Sequence, residues 1–186
     1  MEPASTFVAL LHHPMRDRVG DTVTTALTTL DLHDMARTCR TFGIARFYVV
    51  HPIEPQRAIA ERILAHWRGD GARHDHRGDA LARVKVVSTL EEARADVTAT
   101  AGEPRLIATT AKQHPVTTSI AQARALSGPA MILFGTGFGM TEGLLASVDH
   151  VLPPVLAAHG ASDYNHLSVR SACAILLDRL YGDRKD

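Results

Sequence analysis

The chain has 186 residues, 45% of them hydrophobic and 22% charged, with a formal net charge of zero. This length suits one domain over residues 1–186 with a real core, and the balanced charge excludes a general nucleic-acid coat while leaving room for a local basic patch. No apolar run is long enough to span a membrane, the opening MEPASTFVALLHHP lacks the basic head and long apolar run of a secretion leader, and two distant cysteines, Cys39 and Cys173, fit a reduced cytoplasmic setting.

Strands and helices alternate along the chain. TFVALLHH (Thr6–His13) reads as a buried strand, and the threonine-rich PMRDRVGDTVTTALTT after it as a loop. LDLHDMARTCRTFG reads as a helix with Leu32, Met35, Ala36 and Cys39 on one face, Asp31 as its cap and Gly43 as its end. IARFYVV is the next strand, and PQRAIAERILAHW a helix with Ile59, Ile63 and Trp67 along one face. The charged, glycine-rich RGDGARHDHRGDALAR reads as a surface loop. Then come the strand VKVVST, the helix LEEARADVTATAG, the strand PRLIATTA, the helix TTSIAQARALS and the strand AMILFGT. A short helix MTEGLLASV and a short strand HVLPPV follow. The last helix is expected from near Asp163 to Tyr181, with Ser162 or Asp163 as its cap and Val169, Cys173, Leu176, Leu177 and Leu180 on one face. Such alternation implies an α/β fold, a parallel sheet flanked by helices, with ligands at the carboxyl ends of the strands.

The glycines of GTGFG (Gly135, Gly137, Gly139) follow a strand, as backbone that approaches a ligand does. They do not make a dinucleotide fingerprint, because position 140 is Met and the strand is a late one. A P-loop would need Gly-Lys-Ser/Thr, which is absent. The pairs His12-His13 and His74-Asp75-His76 lie in different segments and lack the ligand spacing of a zinc site, so no metal is expected. Arg16, Arg18, Arg37 and Arg40 carry forks that match phosphate oxygens, although a solvated helix face explains the last two equally well.

Three segments together resemble the SPOUT superfamily of S-adenosylmethionine-dependent RNA methyltransferases. LDLHDMARTCRTFG resembles its SpoU-type segment, with Arg37, Thr38 and Gly43 in matching positions. MILFGTGFGMTEGLLASVDHVLPPV resembles its strand, glycine loop, short helix and terminal strand, with Leu152-Pro153 in the last position. NHLSVRSACAILL resembles the opening of its last helix through Leu167, Ser168, Val169 and Ala172. SpoU enzymes carry an acidic residue inside the glycine loop. Here the nearest acid is Glu142, and His166 stands where an asparagine is usual, with Asn165 before it.

The resemblance implies a SPOUT-type fold with a C-terminal deep trefoil knot, a homodimer, and an RNA substrate, tRNA or rRNA. It implies S-adenosylmethionine held in the knot by Thr109 and Thr110, by Phe134, Gly135, Thr136 and Gly137, by Leu152 and Pro153, and by His166, Leu167, Ser168 and Ala172. Gly135 and Gly137 would let the main chain approach the cofactor. Arg37 would be the catalytic residue, acting on a ribose 2′-hydroxyl, and Arg16 and Arg18 would contact RNA phosphates. His13 or His166 would assist proton transfer. The apolar faces of the Leu32–Phe42 helix and of the last helix are expected to be more than one small sheet can cover, which points to the second copy. Methylation of a base nitrogen, or a SAM- or RNA-binding module without catalysis, are the alternatives to ribose methylation.

Overall fold

The computed structural model describes residues 1–68, 76–158 and 164–183. A short 3₁₀ turn, Pro3–Ser5, leads into β1 (Thr6–Leu11). A two-residue pair, β2 (Met15–Arg16) and β3 (Thr22–Val23), precedes α1 (Thr29–Thr41). Then follow β4 (Arg46–Val50), α2 (Glu54–Arg68), α3 (His76–Leu81), β5 (Val84–Val87), α4 (Leu90–Ala101) and β6 (Arg105–Ala108). The chain continues through α5 (Ile120–Arg124), β7 (Ala130–Gly135), α6 (Glu142–Ala146), β8 (His150–Val151) and α7 (Val169–Tyr181).

Six strands form one parallel sheet in the order β5-β4-β1-β7-β6-β8. Every residue of β1 is buried, because the strand lies inside the sheet and is covered on both faces. Alternate residues serve opposite faces. Val8 and Leu10 join a core with Leu32 and Met35 of α1, Leu64 of α2 and Leu176 and Leu177 of α7. Phe7, Ala9 and Leu11 join a second core with Ala93 and Val97 of α4 and Leu145 of α6. Each fully buried aliphatic side chain contributes roughly 1.5–3 kcal/mol of transfer free energy, so these two layers carry most of the fold's stability.

Several expectations need correction. The cap of α1 is Thr28, whose Oγ1 accepts from the Asp31 N–H at 3.1 Å, so Asp31 sits inside the first turn. Gly43 does follow the end of α1, at φ 73°. The polar loop after β1 contains the β2–β3 pair, registered Met15 to Val23 and Arg16 to Thr22. Asp17 Oδ1 holds the turn between them, accepting from the N–H groups of Val19, Gly20 and Asp21. On α2 the buried stripe runs through Ala60 and Leu64, with Ile63 and Trp67 beside it, while Ile59 is 48% exposed. Part of the charged segment after α2 is helical, as α3. His74 and Asp75 lie outside the described residues, as do Ser162 and Asp163, the expected caps of the last helix. That helix starts at Val169, capped by Ser168, which accepts from Ser171 N–H at 3.3 Å.

The apolar faces of α1 and α7 pack within one subunit. Leu32, Met35, Ala36 and Cys39 share a core with Cys173, Leu176, Leu177 and Leu180. They are not left over for a second copy.

Candidate functional site

The chain leaves β1 for β4 and β5 on one side and returns to fill the other side with β7, β6 and β8. Beyond the carboxyl ends of β1 and β7 this order leaves a crevice, where ligands bind in open α/β sheets. A cleft of about 770 Å³ lies there. Four segments wall it: the loop after β6, the glycine loop after β7, the stretch before α1, and the loop that enters α7.

The cleft gathers Thr109 and Thr110, the run Phe134 to Gly137, and the run His166 to Ser168 with Ala172. Two residues assigned to the cofactor from sequence do not line it. Leu152 is fully buried in the core and Pro153 is half-buried, and Val155 takes that part of the wall. Phe134, Val155 and Leu176 make an apolar floor. Hydroxyls and loop main chain make the rim.

The chain's own side chains also crowd these glycines. A Cβ on Gly135 would lie 2.9 Å from Met140 Cγ and 3.2 Å from Met15 Sδ. At Gly137, where φ is +59°, it would lie 3.0 Å from Thr25 Cγ2 and 3.3 Å from the Arg16 carbonyl oxygen. Met140, β2 and the segment before α1 thus already leave no room for a side chain at either position. Arg16 N–H donates to Gly139 O at 2.8 Å, and Phe138 N–H donates to Arg16 O at 3.2 Å, so the glycine loop is sewn to β2.

Beneath the loop lies a buried polar network that the sequence did not announce as a unit. His12 and His51 follow β1 and β4, are both fully buried, and stack at 4.8 Å between ring centroids. Ile53 N–H donates to His51 Nδ1 at 3.2 Å, so His51 Nε2 carries the proton and donates to Thr25 O at 3.0 Å. Thr136 Oγ1 donates to Leu11 O at 3.0 Å, which makes Thr25 Oγ1 the donor in the Thr25–Thr136 contact. Thr25 Oγ1 then accepts from His12 Nδ1, 3.1 Å away. His12 Nε2 is left buried with no partner. Burial first, and His51 second, pull the His12 pKa from its ordinary 6.5 down to about 4. Both imidazoles are thus neutral at neutral pH, and Thr25 joins them to a cleft hydroxyl.

Two ion pairs border the cleft. Arg16 Nη1 meets Glu142 Oε1 at 2.7 Å, which puts the acid absent from the glycine loop's own sequence on the cleft wall. Arg170, in the first turn of α7, donates to Asp31 Oδ1 at 3.1 Å and lies 3.5 Å from Asp34 Oδ2. Asp31 is nearly buried, lines the cleft, and also accepts from Thr28 Oγ1 at 2.6 Å. Sequence spacing identified Asp31 only as a cap. Arg18 is exposed near the tip of the β2–β3 turn. His13 is exposed, with Nδ1 3.1 Å from Thr24 Oγ1. Arg37 is exposed on α1 and is not among the residues lining the cleft of its own chain.

Among the described residues no helix is long and apolar enough to cross a membrane. The family model described as SAM-dependent RNA methyltransferase matches residues 5–182. An uncharacterized protein of Aquifex aeolicus is 37% identical over 184 residues, covering 95% of this chain and 88% of that protein. A tRNA (guanine-N(1)-)-methyltransferase of Oleidesulfovibrio alaskensis is 40% identical over 181 residues, and the chain spans only 42% of its length. The structure of a TrmH/SpoU tRNA modifying enzyme from Aquifex aeolicus shares the fold, with a TM-score of 0.59 at 12% identity, over 97% of this chain and 75% of that one. The parallel sheet with its flanking helices is thus of the SPOUT kind, and the chain belongs to the SAM-dependent RNA methyltransferases: it is an enzyme that uses S-adenosylmethionine and acts on RNA.

Proposed function

We propose that this enzyme methylates tRNA or rRNA at a ribose 2′-hydroxyl, with the cofactor in the cleft beyond β1, β6 and β7. The carrying observation is that one cavity gathers every residue assigned to the cofactor from sequence except Leu152 and Pro153. Its chemistry fits the group. The floor of Phe134, Val155 and Leu176 suits a purine ring, with loop main chain at its edge. The carboxylates of Asp31 and Glu142 on the walls are each paired with an arginine, Arg170 and Arg16, so the fit rests on the apolar floor and the polar rim. When bound, S-adenosylmethionine supplies a methyl group already activated on a positively charged sulfur.

The protein's own task is then orientation, exclusion of water and care of the acceptor's proton. Thr109, Thr110, Thr136 and Ser168 hold the cofactor by hydroxyl and main chain. Arg37 stabilises the developing alkoxide, a role that suits a guanidinium better than proton abstraction. Because Arg37 stands outside its own cleft, it serves the cleft of a second copy, with α1 as the contact of a homodimer. Leu30, 60% exposed one heptad before Arg37, marks that face. Arg16 and Arg18 steer RNA phosphates, Arg16 by exchanging its exposed partner Glu142 for them. A C-terminal trefoil knot belongs to the same reading, supported by the strand order, with β8 beyond β6, and by the bond from Asn165 Nδ2 to Ala111 O at 3.2 Å.

Tritiated S-adenosylmethionine with bulk tRNA and rRNA, followed by nucleoside analysis, tests the acceptor. Label on ribose is expected. Label on a base would favour the second reading, methylation of a ring nitrogen, which the guanine-N(1) activity named for the Oleidesulfovibrio alaskensis relative raises. Arg37→Ala should cut transfer by about 100-fold or more and leave S-adenosylhomocysteine affinity intact by calorimetry. A mixed dimer of Arg37→Ala with a cleft-disabled copy should recover part of the activity. Normal transfer by Arg37→Ala would remove it from catalysis.

A further inference from the structure

At the mouth of the cleft three ring side chains face solvent. Phe138, on the glycine loop, is 47% exposed, and Tyr164, before α7, is 72% exposed. His166 is exposed between them. The Phe138 and His166 rings are 6.4 Å apart at 36°. Tyr164 stands edge-on to His166, at 6.3 Å and 88°. Single exposed apolar side chains are ordinary, whereas neighbouring rings that form one exposed patch at a cleft mouth mark a binding surface.

Both sides of this gap are held by the backbone. Phe138 is fixed by its N–H to the Arg16 carbonyl, and Gly139 N–H closes the turn on Thr136 O at 3.1 Å. The His166 loop is fixed by Asn165 Nδ2 on Ala111 O and by the Ser168 cap of α7. The rings therefore stand on two anchored loops on either side of the cleft mouth. A base held between two rings needs them roughly 7 Å apart, twice the ~3.4 Å rise of stacked nucleic acid. The two ring centroids are 6.4 Å apart and the planes tilted by 36°, so a base enters only once the rings move apart and turn parallel.

We infer that Phe138 and His166 form a stacking clamp for the unpaired base of the RNA nucleotide that receives the methyl group, with Tyr164 bracing His166. This rests on the reading that the cofactor occupies the cleft beneath. Single-stranded and flipped bases are gripped in this way because every base offers a π-face, whatever its hydrogen-bonding edge. The cofactor's adenine has similar chemistry, but the floor of Phe134, Val155 and Leu176 offers it a more enclosed place than the exposed rim.

The test uses the whole chain, tritiated S-adenosylmethionine, bulk tRNA and rRNA as probe, and calorimetry with S-adenosylhomocysteine. Phe138→Ala and His166→Ala should each raise the KM for RNA by about ten-fold or more, with kcat changed less; the control on the cofactor is Phe138→Ala, which lies outside the cofactor set and should keep S-adenosylhomocysteine affinity within about two-fold of wild type. Phe138→Trp should restore or lower KM, which a structural role for Phe138 would not produce. Equal loss of S-adenosylhomocysteine affinity and RNA KM would assign the rings to the cofactor's adenine and overturn the clamp. Unchanged KM in both alanine variants would also overturn it. Wild-type protein that does not bind S-adenosylhomocysteine would instead sink the cofactor reading and the clamp with it.

Discussion

At its N-terminal end, β1 begins with Thr6, which is fully buried and fully used. Its Oγ1 donates to Glu2 O at 2.9 Å and lies 2.7 Å from the Tyr181 hydroxyl. Just past the other end stands His12, equally buried, with Nδ1 bound to Thr25 and Nε2 without a partner. Satisfied buried groups hold a fold in register. A network that reaches a cleft hydroxyl and leaves a buried nitrogen unpaired is worse for stability and is kept for another reason. One strand thus has a fully satisfied end and an end whose network opens on the cleft. The contrast can be broken by titration and by single hydroxyl deletions.

The largest effect should come from pH. Burial draws His12 to about 4 from an ordinary 6.5, so between those values the unfolded chain binds a proton that the folded chain refuses. Stability contributed here is complete above about pH 6.5 and is lost as pH falls toward 4, by about 3 kcal/mol. Tyr181 mirrors this. Burial, partly offset by its bond to Thr6, raises the phenol from 10.0 to about 12. Its contribution is complete below about pH 10 and is lost as pH rises toward 12, by a similar amount, ~3 kcal/mol. Urea melts across both ranges should show His12→Gln flattening only the acid limb and Tyr181→Phe only the alkaline limb. The acid limb keeps some slope, because burial also lowers His51 and His33. An unchanged acid limb in His12→Gln would erase the distinction between the two ends.

Next in size is Thr25→Val. It keeps the shape of the side chain and removes the hydroxyl that joins His12 to Thr136. Two partners, buried His12 and half-buried Thr136, lose their bond, and a stability loss of about 2 kcal/mol is expected. S-adenosylhomocysteine affinity should fall about ten-fold as the Thr136 loop loosens, and Thr25→Ser should restore both. Calorimetry beside a denaturant melt reads the two losses separately. Stability loss with unchanged affinity would make this end of β1 structural too.

Local pattern carried much of this. The apolar run TFVALL, the heptad-like stripe of α1 and the order of elements fixed the α/β sheet, because periodicity and burial are written residue by residue. Gly135 could be named because a glycine loop after a strand is a local signal, while Thr136 and Ser168 came from the family resemblance of their segments. The Thr25 hub could not. Its partners are His12, His51 and Thr136, brought together only by the sheet order, and in sequence Thr25 is one threonine among many in the TVTTALTT run. The family resemblance places Leu152 in the cleft, whereas its backbone N–H pairs with Ala108 O and its side chain lies in the core. Asp31 looked like a cap because acids favour that position, and its bond to Arg170 spans 139 residues, a distance that no local rule reads.

The smallest effect belongs to Thr6→Val. The methyl replaces the hydroxyl without a change of shape, so the core around β1 stays packed. Glu2 O loses its side-chain donor, and Tyr181 keeps only a weak contact with the Met1 sulfur at 4.0 Å. Both groups are partly open to water, which replaces part of what is lost, so the cost should be about 1 kcal/mol. For a chain of this size that is a fall in Tm of about 2–4 °C. S-adenosylhomocysteine affinity and RNA turnover should not change, because no bond of Thr6 leads to the cleft. If Thr6→Val weakened cofactor binding as Thr25→Val does, β1 would be transmitting strain along its length, and its two ends would have to be treated as one device.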